Sequence, residues 1–103
     1  MKIGGIQIKK QKFGNVEQQE GIFEGGFEAI IGMAYPALAE EGVTPVFENM
    51  MDQHLLKTNL FAFYLTQTSQ NVESDITFGY YDKTKFHGEM VWHPVLFKYM
   101  YGI

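Results

Sequence analysis

Chemistry in this chain would have to come from His87, Glu89 and His93, from the aspartates Asp52, Asp75 and Asp82, or from the hydroxyls of Ser69, Ser74, Tyr80 and Tyr81. On a strand, His87, Glu89 and His93 share one face. Six residues at about 3.3 Å each set the two imidazoles about 20 Å apart. Zinc takes its ligands at about 2.0–2.3 Å, so at most His87 and Glu89 could share an ion. A solvated histidine beside a glutamate is the plainer reading. A carboxylate dyad needs two acids close enough to share a proton. The sequence sets Asp52 on a helix face, Asp75 in a polar connector and Asp82 in a turn. The serines and tyrosines have no base in a recognisable arrangement, and no Gly-x-Ser-x-Gly turn exists. The glycines between 21 and 26 match no phosphate-binding fingerprint. The expectation is a chain with no metal, no cofactor and no catalytic residue of its own.

Composition narrows the partners. A length of 103 residues holds one small domain or a piece of a larger one. Nearly half the residues are hydrophobic, which excludes a disordered chain. The net charge is −4 and every one of the eight cationic side chains is a lysine, so both the phosphate-neutralising surplus and the bidentate arginine that nucleic acids call for are missing. Cysteine is absent, removing disulfides, thiolate nucleophiles and most structural zinc sites. No apolar run approaches the roughly 20 residues of a membrane span. Met1 to Gly5 lacks the apolar core of a signal peptide.

The elements that would position a site follow from periodicity. Lys2 to Phe13 alternates, with Ile6 and Ile8 on one face, and predicts a half-buried strand whose edge is guarded by Lys9, Lys10 and Lys12. Asn15 to Gly26 carries Glu17, Glu20 and Glu24 but too many glycines for a helix, and predicts a polar loop. Ile30-Ile31, closed by Gly32 and Tyr35-Pro36, predicts a fully buried strand, with Gly32 allowing another backbone to approach closely. Thr44 as N-cap and Pro45 as first residue open a helix over about 44–56. Val46, Phe47, Met50, Met51 and Leu55 form its apolar stripe, opposite Glu48, Asn49 and Asp52. Leu60 to Leu65 predicts a strand covered on both faces. Thr66 to Asp75 is a connector, Ile76 to Phe78 a strand ending at Gly79, Asp82 to Lys85 a turn, and Glu89 to Val95 a further alternating strand.

The segment Phe27-Glu28-Ala29-Ile30-Ile31-Gly32-Met33-Ala34-Tyr35-Pro36 resembles the Phe-Asp-Gly-Ile-Leu-Gly-Leu-Ala-Tyr-Pro segment of pepsin- and cathepsin D-like aspartic proteases. Thr44 to Asn49 is similar to that family's Thr-Pro-Val-Phe-Asp-Asn, and Leu60 to Leu65 to its Leu-Phe-Ser-Val-Tyr-Leu. The start of the chain resembles the strand after the active-site flap, and Phe78 to Asp82 followed by Gly88 to Val95 resembles the passage between the lobes. Glu28-Ala29 departs from the usual Asp-Gly, the loop 21–26 is shorter than usual, and Gly102 replaces a glutamine.

The resemblance implies a mostly β chain with one amphipathic helix, the central part of a bilobal acid protease. Residues 1–82 would be the second half of the N-terminal lobe; 83–103 would be the lobe connection and the start of the C-terminal lobe. It also implies an aspartic endopeptidase that cleaves polypeptides by a two-aspartate, water-activating mechanism. Both Asp-Thr-Gly-type loops are absent from this sequence, so the missing N- and C-terminal parts of the same protease become partners, and the chain alone is expected to be inactive. Phe27 and Ile30 would line the pocket before the scissile bond, and Leu38 and Met100 the other side; by residue type alone, Ile30 and Leu38 read as core. The parent would work in a lysosomal or other acidic vesicle, or be secreted. The alternative function is a non-catalytic module that binds peptides or a partner through an apolar groove.

Overall fold

The computed structural model describes residues 1–17, 21 and 24–96. The resemblance's mostly β expectation with one helix holds: among the described residues, four short strands and irregular backbone accompany a single α-helix. Where the sequence predicts one strand over Lys2 to Phe13, the chain instead folds into a hairpin, β1 (Lys2–Ile3) against β2 (Ile6–Gln7), antiparallel with Ile3 opposite Ile6. Gly4 and Gly5 cause the reversal. Both hold positive φ, 53° and 84°, as the two central residues of a tight hairpin turn require. The ladder continues one pair further, because the Ile8 N–H donates to the Met1 carbonyl at 2.8 Å and the Met1 ammonium donates to the Ile8 carbonyl at 3.0 Å.

Ile8 leaves the hairpin fully buried, at 1% exposure, against α1 (Val46–Asp52). Val46 and Met50, four residues apart on one helix face, complete the buried cluster, with Ile3, Ile6, Phe47, Leu56 and Phe78 packed around it. The helix is shorter than the predicted 44–56. Pro45 occupies the N-cap with no side-chain cap bond, one residue after the expected Thr44. The C-terminus is fixed by a Schellman motif. The His54 N–H donates to the Met51 carbonyl, and the Leu55 N–H to the Met50 carbonyl, both at 3.0 Å. His54 holds φ 54°, the left-handed conformation that turns the chain out of the helix before Leu55 can join the stripe.

A second hairpin, β3 (Phe61–Tyr64) and β4 (Asp75–Phe78), pairs antiparallel from Phe61 opposite Phe78 to Tyr64 opposite Asp75. It joins the core through Phe47 and Phe61, whose rings meet edge to face at 4.9 Å. At its far end Thr66 pins the 66–74 connector, its hydroxyl donating to the Val72 carbonyl at 2.6 Å while its N–H donates to Ser74 Oγ at 2.9 Å. β4 ends at Gly79 as predicted. That glycine has φ 89°, and a Cβ there would meet the Lys57 backbone nitrogen at 3.3 Å.

Three burial expectations fail for one reason. Phe27 to Pro36 is not a buried strand: Ile30 is 60% exposed, Ile31 is exposed, and 27–33 forms no ladder. β3 forms, but Phe63 and Leu65 stand exposed, so one face is uncovered. Glu89 to Val95 is irregular rather than a strand, with Val91 and Trp92 exposed. An apolar run announces an affinity for burial, but a buried strand also needs a backbone partner and a packed layer: β3 has the partner while Phe63 and Leu65 stay uncovered, and 27–33 and 89–95 form no ladder. Nothing lies within 4 Å of where a Cβ on Gly32 would sit, so the expected close approach is absent there too. The radius of gyration, 15.8 Å, exceeds the roughly 13 Å of a compact domain of about this size.

Two substitutions test this architecture. Met50→Ala empties the fully enclosed helix position and is expected to cost about 2–5 kcal/mol, read as a lower urea midpoint or loss of helical circular dichroism. His54→Gly relieves the left-handed strain at the helix end and is expected to raise stability by about 1 kcal/mol in the same measurement.

Candidate functional site

An apolar groove of about 1130 Å³ opens beside the start of the helix. Its lining brings together three of the four residues named from the resemblance: Phe27, Ile30 and Leu38. Phe27 and Ile30 come from the irregular backbone over 27–33. Leu38 comes from a single 3-10 turn, Pro36–Leu38, closed where the Leu38 N–H donates to the Tyr35 carbonyl at 3.1 Å. Pro36 opens that turn with its fixed φ and needs no donor there. All three side chains are exposed, so the core reading of Ile30 and Leu38 does not describe this chain. Met100 lies outside the described residues.

The same groove is lined by the segment after the first hairpin, Gln11 to Val16, and by Pro45 and Val46 at the start of α1. Residue type alone did not single out the side-chain amides that tie this segment to the helix. Gln53, at the helix C-cap, accepts from the Lys9 N–H through Oε1 at 2.9 Å and donates to the Lys9 carbonyl through Nε2 at 2.8 Å. Asn49 Nδ2 donates to Gln11 Oε1 at 2.7 Å, while Gln11 Nε2 donates to the Thr44 carbonyl at 3.0 Å and to the Lys12 carbonyl at 2.9 Å. A spacing of four puts Asn49 and Gln53 on one helix face, which is the only signal the sequence offered.

The titratable groups are dispersed. Asp52 is exposed at the end of α1, Asp75 opens β4, and Asp82 caps a 3-10 turn at Lys83–Lys85. His87, Glu89 and His93 are all exposed on irregular backbone, and among the described residues no three His, Cys, Asp or Glu side chains converge as a metal cluster would. A smaller groove of about 280 Å³ lies beside β3 and β4, with Tyr64, Tyr81, Phe86 and Lys85 in its wall. The Lys85 ammonium sits 4.7 Å from the centre of the Tyr64 ring, and Tyr81 lies 6.0 Å from Phe86 and 6.2 Å from Trp92. Among the described residues no helix is long and apolar enough to cross a membrane.

The family model for eukaryotic aspartyl proteases matches residues 1–103. The chain belongs to that family. It is 39% identical over 95 residues to cathepsin E of Cavia porcellus, a match covering 90% of this chain and 24% of that protein. It is 41% identical over 97 residues to a pregnancy-associated glycoprotein of Equus caballus, covering 92% of this chain and 25% of that protein. Bos taurus pepsin A is 36% identical over 97 residues, with 92% and 26% covered. The chain thus spans about a quarter of the length of the curated relatives it matches.

Asp82 supplies a pH test of the described geometry. The Thr84 hydroxyl donates to Asp82 Oδ1 at 2.6 Å and the Thr84 N–H at 2.9 Å. These two bonds, the hydroxyl's foremost, hold the Asp82 carboxyl below its ordinary value of 3.8. Because the folded value is the lower one, the turn's contribution is present above 3.8 and is lost as pH falls through the folded value. A carboxyl NMR titration is expected to place the Asp82 midpoint below 3.8, and Thr84→Val to move it part of the way back. An unshifted midpoint in the intact chain would contradict the hydrogen bonding described.

Proposed function

We propose that this polypeptide is the central portion of a pepsin-like aspartic endopeptidase, supplying scaffold and substrate cleft rather than chemistry. The family match along all 103 residues carries this reading. In such an enzyme two aspartates share a proton and activate water for attack on a peptide carbonyl. They sit in Asp-Thr-Gly or Asp-Ser-Gly loops, and neither tripeptide occurs in this sequence. Residues 1–82 then form the second half of the N-terminal lobe, and 83–103 the lobe connection and the start of the C-terminal lobe. Phe27 and Ile30 bind the side chain before the scissile bond, with Leu38 and Met100 beyond it. The presence of Phe27, Ile30 and Leu38 in one apolar groove supports that assignment for those three. The exposed apolar runs around Ile30 and Trp92 fit segments that the remaining protease chain would cover. The parent enzyme acts on polypeptides in an acidic vesicle, such as the lysosome, or after secretion.

A second reading draws on the same groove: a non-catalytic module that holds an apolar peptide or partner. Two measurements separate the readings. The purified 103-residue chain is expected to show no pepstatin-sensitive cleavage of an unfolded protein at acidic pH; measurable cleavage would refute the absence of a dyad. Saturable binding of an apolar peptide without cleavage favours the module.

A further inference from the structure

The four amide hydrogen bonds joining Gln53 to Lys9 and Gln11 to Asn49 and Thr44 have a consequence for the groove. Each links residues 33 to 44 positions apart, and all of them fasten the segment carrying Gln11, Lys12 and Phe13 to the helix and its approach. That segment lines the apolar groove together with Phe27, Ile30 and Leu38. Phe13 itself is 79% exposed, so apolar packing does not hold the segment in place. Asn49 and Gln53 do not line the groove; they act on it only through Lys9 and Gln11.

We propose that Asn49 and Gln53 are positioning residues that place the Gln11 to Phe13 lining relative to Phe27, Ile30 and Leu38, and with it set the fit of an extended apolar polypeptide. The proposal rests on the groove reading above. Gln53 mimics a strand neighbour: its amide satisfies both the N–H and the carbonyl of Lys9, as a paired backbone would. Gln11 is locked in one orientation. Its Nε2 already serves two carbonyls, so only Oε1 faces Asn49, and a donor is required at that position. Asn49→Asp keeps the shape and removes the donor. Turning the Gln11 amide over cannot repair this, because its oxygen would then face the Thr44 and Lys12 carbonyls.

The test titrates a capped, uncharged peptide of Phe, Leu and Ala into the full 103-residue chain, following the methyl groups of Ile30 and Leu38 by NMR. Asn49→Asp and Gln53→Leu are expected to weaken binding roughly five- to tenfold, as the loss of one or two neutral hydrogen bonds gives. Thr66→Val, which removes comparable bonds in the connector away from the groove, controls for general loosening and is expected to leave the affinity within about twofold. Circular dichroism confirms that each variant keeps its helix. Binding by the unsubstituted chain that is unchanged in both amide variants overturns this inference and leaves the groove reading standing. An equal loss in Thr66→Val overturns it as well. No binding by the unsubstituted chain sinks the groove reading and this inference together.

Discussion

Met50 has no contact with solvent, and the elements described here take their places around it. A helix of seven residues is too short to persist in water through its own hydrogen bonds. It survives by burying one face, and the partner for that face is Ile8, delivered by a hairpin whose turn the Gly4-Gly5 pair makes easily. Val46 shares the burial, and Phe47 extends it sideways onto Phe61 of the second hairpin. Removing any of these contacts exposes the rest. With three buried apolar side chains, a loss at one is a large fraction of the whole.

The same economy shapes the surface. Sixteen large apolar side chains among the described residues are exposed, against three that are buried. They are not scattered. Phe13, Val16, Phe27, Ile30, Ile31 and Leu38 face one groove, and Val91, Trp92 and Leu96 follow one another along the late irregular segment. Polar fastening replaces apolar packing where the layers are thin: Gln53 and Asn49 hold the N-terminal segment, and Thr66 closes the connector at the opposite end.

Much of this was legible in the residues. Pro45 and the Val46–Met50 spacing announce the helix, and Phe78-Gly79 announces a strand end, because local sterics decide both. Gly4-Gly5 was legible too, yet the alternation of Ile6 and Ile8 suggested a strand running through it. A hairpin preserves that same alternation, so periodicity alone cannot separate the two. The stop at His54 was hidden, since histidine carries no preference strong enough to mark a left-handed position. Burial of Ile30-Ile31 and of both faces of β3 was misjudged because hydrophobic content speaks only to what a side chain prefers. What lies over it is a property of other segments. For the groove, the family resemblance named Phe27, Ile30 and Leu38, whereas the amides behind its lining gave no compositional hint.

The single tryptophan stands at the periphery. Trp92 is exposed on irregular backbone, and its aromatic neighbour is Tyr81, not any member of the Ile8, Val46 and Met50 cluster. Intrinsic emission from this chain therefore watches the edge of the molecule. The helix and its hairpin can melt with the indole signal nearly unchanged, while a disturbance confined to the segment around Trp92 registers in full.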